Sequence, residues 1–158
     1  MPLPRFLKRM FSDPAFSRKR AFLKSLDLFR DLGFVELGHL VQNMHGRTYH
    51  EGEVLFVEGD IGRALFILES GKIELTKAGA DGKPQKIHTI APGEFFGEMA
   101  LIDDYSRSAS VRALEDTECL ELWRWDFRYE LHRSPSIAVE MLPDLSRRLR
   151  QTDALLTT

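Results

Sequence analysis

Apolar and polar positions follow two different periods along this chain. From Met1 to about Gln42 the spacing is helical. "RFLKRMF" sets Phe6, Leu7, Met10 and Phe11 against Arg5, Lys8 and Arg9. "DPAF" breaks that pattern, with Asp13 suited to cap a second helix and Pro14 to occupy its first turn. "AFLKSLDLFRDL" continues with Phe22, Leu23, Leu26 and Phe29 at i, i+1, i+4 and i+7. Gly33 punctuates it, and "VELGHLVQNM" predicts one more short amphipathic helix.

From about Arg47 to Trp125 the period changes to that of strands. "EVLFVEGD", "ALFILESG", "KIELTKA", "KIHTIA", "SASVRAL" and "ECLELWRW" are short apolar or alternating runs. Turn signals separate them, among them "GADGKPQ" and Pro92-Gly93. Many short strands with glycine-rich turns predict a sandwich or barrel. Helical spacing returns at the end. Asp126 is placed to cap "FRYELHR", and Ser134-Pro135 reads as a capped helix start. The last helix carries Ile137, Met141, Leu145 and Leu149, and Pro143 predicts a kink or break in it.

Charge and composition narrow this picture. The 158 residues are 43% apolar and 29% charged with net charge −2, which suits one domain and gives no nucleic-acid signal. The exception is the first segment, where Arg5, Lys8, Arg9, Arg18, Lys19, Arg20 and Lys24 face only Asp13. The expectation for residues 1–24 is a basic amphipathic helix packed on the domain with its charges in water, rather than one lying on a membrane surface. No apolar run approaches the ~20 residues of a membrane span, and "MPLPRFLKRMF" is too interrupted for a secretory signal. The expected compartment is the cytoplasm. Cys119 is the one cysteine and reads as a small buried apolar residue. His39, His45, His50, His88 and His132 are scattered without the paired spacing of a cupin metal site, so no metal, cofactor or enzymatic activity is expected.

One stretch carries chemistry: "FFGEMALIDDYSRSASVRA", Phe95 to Ala113. Arg107 offers a planar, permanently charged fork that matches phosphate oxygens. Gly97 lacks the Cβ that would block a ligand, and a helical turn starting near Glu98 offers backbone N–H groups. Glu98 would repel a phosphate but can accept a hydrogen bond from a sugar hydroxyl. On these grounds alone, Arg107 could equally form a surface ion pair with Asp103 or Asp104.

The same residues resemble the phosphate-binding cassette of the cyclic nucleotide-binding domain. Gly97-Glu98, Ala100-Leu101 and Arg107-Ser108-Ala109 are all in place, and the resemblance runs from about Leu26 to Leu149. Upstream, "YHEGEVLFVEGDIGRALFILESGKIEL" is similar to the family's first strands, with glycines at 52, 59, 62 and 71. The resemblance implies a mainly β fold with flanking helices (α+β): an eight-stranded antiparallel jelly-roll over 46–125 within a domain spanning 25–158, N-terminal helices, and C-terminal helices over 126–156 that end in a moving lid. It implies that Arg107 and the Ser108 hydroxyl hold the cyclic phosphate of cAMP or cGMP. Glu98 would bind the ribose 2′-OH, and Gly97, Met99, Ala100 and Ala109 would line the cassette. By likeness to "RRLRQTD" in the transcription-factor branch, Arg148, Thr152 and Asp153 are candidates for base or dimer-partner contacts.

Three features depart from the family pattern. Ser106 stands where many members have proline, Asp103 and Asp104 lie near the anion site, and Pro143 falls in the lid helix. The implied function is a stand-alone sensor that acts on an unknown protein effector and forms homodimers through the last helix. A chain ending at Thr158 leaves no room after it for a recognition helix, so no DNA binding by this chain alone is expected. The alternatives are a degenerate fold acting only through protein contacts, and the sensor part of a transcription regulator.

Overall fold

The computed structural model of the chain describes residues 1–103 and 106–156; Asp104, Tyr105, Thr157, Thr158 and the side chain of Phe6 lie outside the described residues. The chain sorts into a helical unit, Met1–Asn43 with Tyr129–Arg148, and a β unit, Met44–Arg128 with the chain from Leu149 onward.

The helical unit begins with α1 (Arg5–Ser12) and α2 (Pro14–Lys24). Asp13 separates them as expected. Its carboxylate accepts from Ala15 N at 2.9 Å and Phe16 N at 3.4 Å, and Pro14 fills the first helical position. Met10 of α1 is buried against Gly38 of α3 (Phe34–Asn43), where a Cβ would lie 2.5 Å from Met10 Cε. Arg20 donates to Met10 O at 3.1 Å and lies 3.9 Å from the Phe34 ring, which stacks on Phe11. The helix predicted across Ala21–Leu32 is shorter than its spacing suggests. α2 stops at Lys24, and a 3-10 turn follows at Asp27–Phe29. The Ser25 hydroxyl donates to Phe22 O, and Lys24 Nζ donates to Arg30 O and Leu32 O, so side chains satisfy carbonyls that a longer helix would use.

The C-terminal helices also differ from expectation. β8 passes directly into α5 (Arg124–Arg133), so Asp126 lies inside the first turn and is not its cap. α6 runs from Ser136 to Leu156 without a break, with Pro143 inside it. Ile137 N donates to Ser134 O and Val139 N to Pro135 O, so Ser134-Pro135 leads in a turn just before the helix. Proline forfeits one bond of the helix ladder, and its ring crowds the carbonyl four residues before it, here Val139 O. Burial of Ile137 and Met141 on the preceding turns holds the helical path. Arg30 after the 3-10 turn also ties to α6, through Glu140 at 2.9 Å. No helix among the described residues is long and apolar enough to cross a membrane.

The β unit holds eight described strands: β1 (Met44–Tyr49), β2 (Val54–Phe56), β3 (Ala64–Ser70), β4 (Ile73–Ala78), β5 (Pro84–Ile90), β6 (Phe95–Phe96), β7 (Ser110–Ala113) and β8 (Thr117–Trp123). They form two antiparallel four-stranded sheets, ordered β1-β8-β3-β6 and β2-β7-β4-β5. This is the eight-stranded jelly-roll with flanking helices that the sequence implied. β3 lies between β8 and β6 and is buried from Ala64 to Leu68, which explains its unbroken apolar run. Both sheets contribute to one core, in which Phe66, Phe96 and Leu68 meet Ile73, Ile90 and Val111. Two strands escaped the sequence pattern. β1 is a mostly exposed edge strand with no apolar alternation, and β6 is only two residues long.

Cys119 sits in that core at 0% exposure, and burial pushes its thiol up from an ordinary 9.0 to about 12. Over that window the unfolded chain ionises the thiol and the folded chain does not. The unfolded state releases the proton, so stability falls as pH rises. Urea midpoints at about pH 8 and about pH 10.5 should show this fall, and it should be shallower in Cys119→Ala. Pro143→Ala should stabilise the chain by about 1–3 kcal/mol by restoring the missing bond of α6, read as a raised Tm.

Candidate functional site

The stretch around Arg107 is drawn together by backbone bonds between segments far apart in sequence. Gly59 N donates to Arg107 O at 2.9 Å, and Arg107 N donates to Asp60 O at 2.7 Å. Ile61 and Ser106 add an isolated antiparallel bridge. The loop after β2 is thus laced to the segment entering β7. The Arg107 side chain turns inward and is only 6% exposed. Its Nη1 donates to Gly97 O and its Nη2 to Ala64 O, both at 2.6 Å. The guanidinium carbon lies 4.0 Å from the centroid of Phe56, whose ring stacks in turn with Phe66 and Phe96. An aromatic platform from both sheets therefore carries the cation.

Two glycines make the space. At Gly97, where φ is +79°, a Cβ would lie 2.8 Å from Arg107 Nη1. At Gly62 it would lie 2.5 Å from Ala100 Cβ and 3.2 Å from Arg107 Cζ. The surface ion pair with Asp103 is not formed. Arg107 binds carbonyls instead, and Asp104 lies outside the described residues. Among the described residues, Arg107 Nε is buried with no hydrogen-bond partner.

Burial lowers the Arg107 pKa; Glu98 and Asp60 oppose that shift, and Arg124 reinforces it. The guanidinium stays charged at any ordinary pH. Glu98 is itself 3% exposed and leads into α4, the single turn Met99–Ile102. Ala100 and Ala109 are buried, while Met99 and Ser108 face outward. The Ser108 hydroxyl donates to Met99 Sδ at 3.6 Å. The structure therefore gathers Gly97, Glu98, Met99, Ala100, Arg107, Ser108 and Ala109 into one locality. Arg148, Thr152 and Asp153 lie together along α6, the first two half-buried and Asp153 exposed. Among the described residues, no group of three His, Cys, Asp or Glu side chains is placed to hold a metal ion.

Phe56 and Arg124 were not singled out by sequence, and Gly62 was noted only as part of a glycine pattern. Arg124 Nη2 donates to Gly62 O at 2.6 Å and Ala100 O at 3.2 Å, and its backbone N donates to Arg63 O. It fixes α4 against the loop after β2. Phe56 looked like any apolar strand residue, and Arg124 like a charge at a strand end; neither carries a local signal.

A model of the cyclic nucleotide-binding domain matches residues 46–134. This chain belongs to that family. The cyclic AMP receptor protein of Thermus thermophilus is 38% identical over 83% of this chain and 61% of its own length. The crystal structure of the catabolite activator protein from that organism superposes with a TM-score of 0.73, at 38% identity over 83% of this chain and 62% of that one. Human cGMP-dependent protein kinase 2 is 39% identical over 68% of this chain and 14% of its own length. The chain thus spans less than two thirds of each of these relatives. It is a regulatory cyclic nucleotide-binding domain, and the gathered residues lie in the segment that resembles the family's cassette.

Gly97→Ala should displace Arg107 and strain a left-handed backbone position, costing on the order of 1–3 kcal/mol. Denaturant unfolding measures it, and Gly33→Ala is the control, because a Cβ there meets only the Glu36 carboxylate at 3.9 Å.

Proposed function

We propose that this domain is a sensor that binds cAMP or cGMP through the Phe95–Ala113 cassette and signals by movement of α6. The observation that carries this reading is the Arg107 guanidinium, buried on Phe56 with Nε unpartnered among the described residues. Two of its five N–H groups are engaged by Gly97 O and Ala64 O. Those two bonds aim the fork in advance, which lowers the ordering cost of binding. The Nε–H and the remaining Nη donors then take the cyclic phosphate, with the Ser108 hydroxyl beside them. Glu98 takes the ribose 2′-OH. Gly97, Met99, Ala100 and Ala109 form the walls. The relatives named for cyclic AMP and cGMP support this ligand class.

Ligand energy moves α6 only through its differential affinity for two helix positions. Arg148, Thr152 and Asp153 are the positions on that helix assigned to the base or to a dimer partner. Val139, Leu142, Leu149 and Leu156 are each more than half exposed and recur at i, i+3, i+10 and i+17. Leu142, Leu149 and Leu156 recur every seven residues, while Ser146 and Asp153 fill the alternate places after Val139, so this is an apolar stripe and not a full heptad seam; it supports a homodimer through a second copy of the helix.

Calorimetry with each nucleotide tests the reading. The tighter one names the ligand, and a ligand-induced rise in Tm should accompany binding. Arg107→Ala should weaken binding by roughly a hundredfold, equivalent to about 3 kcal/mol, and Glu98→Gln by about tenfold. Flat calorimetry with both nucleotides at millimolar concentration would leave a fold that acts through protein contacts alone.

A further inference from the structure

The cassette carries a sulfur at its rim. Met99 is 52% exposed and accepts the Ser108 hydroxyl at 3.6 Å. The chain has five methionines, and the others are placed differently. Met10, Met44 and Met141 are 1%, 5% and 3% exposed, and Met1 is fully exposed. Thioether oxidation requires access of the oxidant to sulfur, so exposure ranks these sites. Apart from Met1, Met99 is the methionine that solvent reaches, and it lies next to Glu98 and against Ser108.

We propose that Met99 is an oxidation site through which peroxide weakens nucleotide binding; this rests on the cassette reading above. In the reaction, a peroxide transfers one oxygen atom to Sδ. The O–O bond breaks, an S–O bond forms, and the second oxygen leaves as water after taking the proton from the first. The sulfur loses two electrons and the peroxide gains them. The product is a sulfoxide, polar and reducible by methionine sulfoxide reductases.

Two consequences follow from the Met99–Ser108 contact. A thioether is a weak acceptor, so in the reduced protein the Ser108 hydroxyl is readily turned toward an incoming phosphate. A sulfoxide oxygen accepts more strongly and keeps that hydroxyl. It also places a partial negative charge at the rim of a site meant for an anion. Both effects oppose the phosphate without touching Arg107 or the core.

The test is limited hydrogen peroxide treatment of the whole chain, followed by peptide mass measurement and calorimetry with cAMP and cGMP. Met99 should gain one oxygen well before Met10, Met44 and Met141. Affinity should fall about tenfold, the scale of one competed hydrogen bond to a charged group. Reductase treatment should restore it. In Met99→Leu, affinity should be the same before and after peroxide, whatever its value, which separates this site from oxidation at Met1. Normal binding that survives full oxidation of Met99, or buried methionines that react as fast as Met99, overturns the switch alone. Absence of binding before any peroxide is added overturns the cassette reading and the switch with it.

Discussion

The site depends on one arrangement: a permanently charged guanidinium held inside a β jelly-roll without a salt-bridge partner among the described residues. Burying a charge is costly unless its donors are satisfied. Here two backbone carbonyls and an aromatic face do most of that work, at 2.6 Å from Gly97 O, 2.6 Å from Ala64 O and 4.0 Å from the Phe56 centroid. The surrounding features follow from this requirement. Gly97 and Gly62 are glycines because a Cβ at either would strike the guanidinium or the turn beside it. Arg124 donates to the carbonyls of both Gly62 and Ala100, which ties the loop after β2 to the turn of α4 beside the guanidinium. Phe66 and Phe96 extend the platform into the core, which makes the position of the cation a consequence of core packing.

Among the described residues Nε has no hydrogen-bond partner, and each Nη uses one N–H on a carbonyl. A guanidinium fully paired with carboxylates would be a structural strut. One whose formal partners are neutral carbonyls keeps its positive charge available to an anion. Glu98 and Asp60 moderate the local field, while Arg124 adds to it. The guanidinium is thereby charged and held in a fixed orientation by backbone and ring contacts.

Much of this was legible in the sequence, and the parts that were not have physical reasons. The Asp13-Pro14 cap was readable because its chemistry is local: one carboxylate, two amides and a fixed φ. Gly97, Glu98 and Arg107 could be picked out because glycine, acid and arginine stand in a recognisable order. β1 was hidden because an exposed edge strand needs no apolar alternation, and its six residues are specified by pairing with β8. The end of α2 was hidden because Lys24 and Ser25 stop it with side-chain bonds that no periodicity records. Pro143 misled for the opposite reason. Its local preference is strong, but it removes only one bond from a helix of 21 residues. Whether Arg107 formed a surface pair or an inward clamp could not be decided from its neighbours in sequence, because Phe56 and Ala64 decide it from more than forty residues away.

The most direct measurement is the Nε–H resonance of Arg107 in 15N-labelled protein, assigned by its loss in Arg107→Lys, during titration with cAMP and with cGMP. A buried, unpartnered Nε–H that acquires a phosphate oxygen should move strongly downfield and become slow to exchange with water as the nucleotide saturates. Saturable nucleotide binding that leaves this resonance where it was would contradict the account, because the ligand would then be held by some other group.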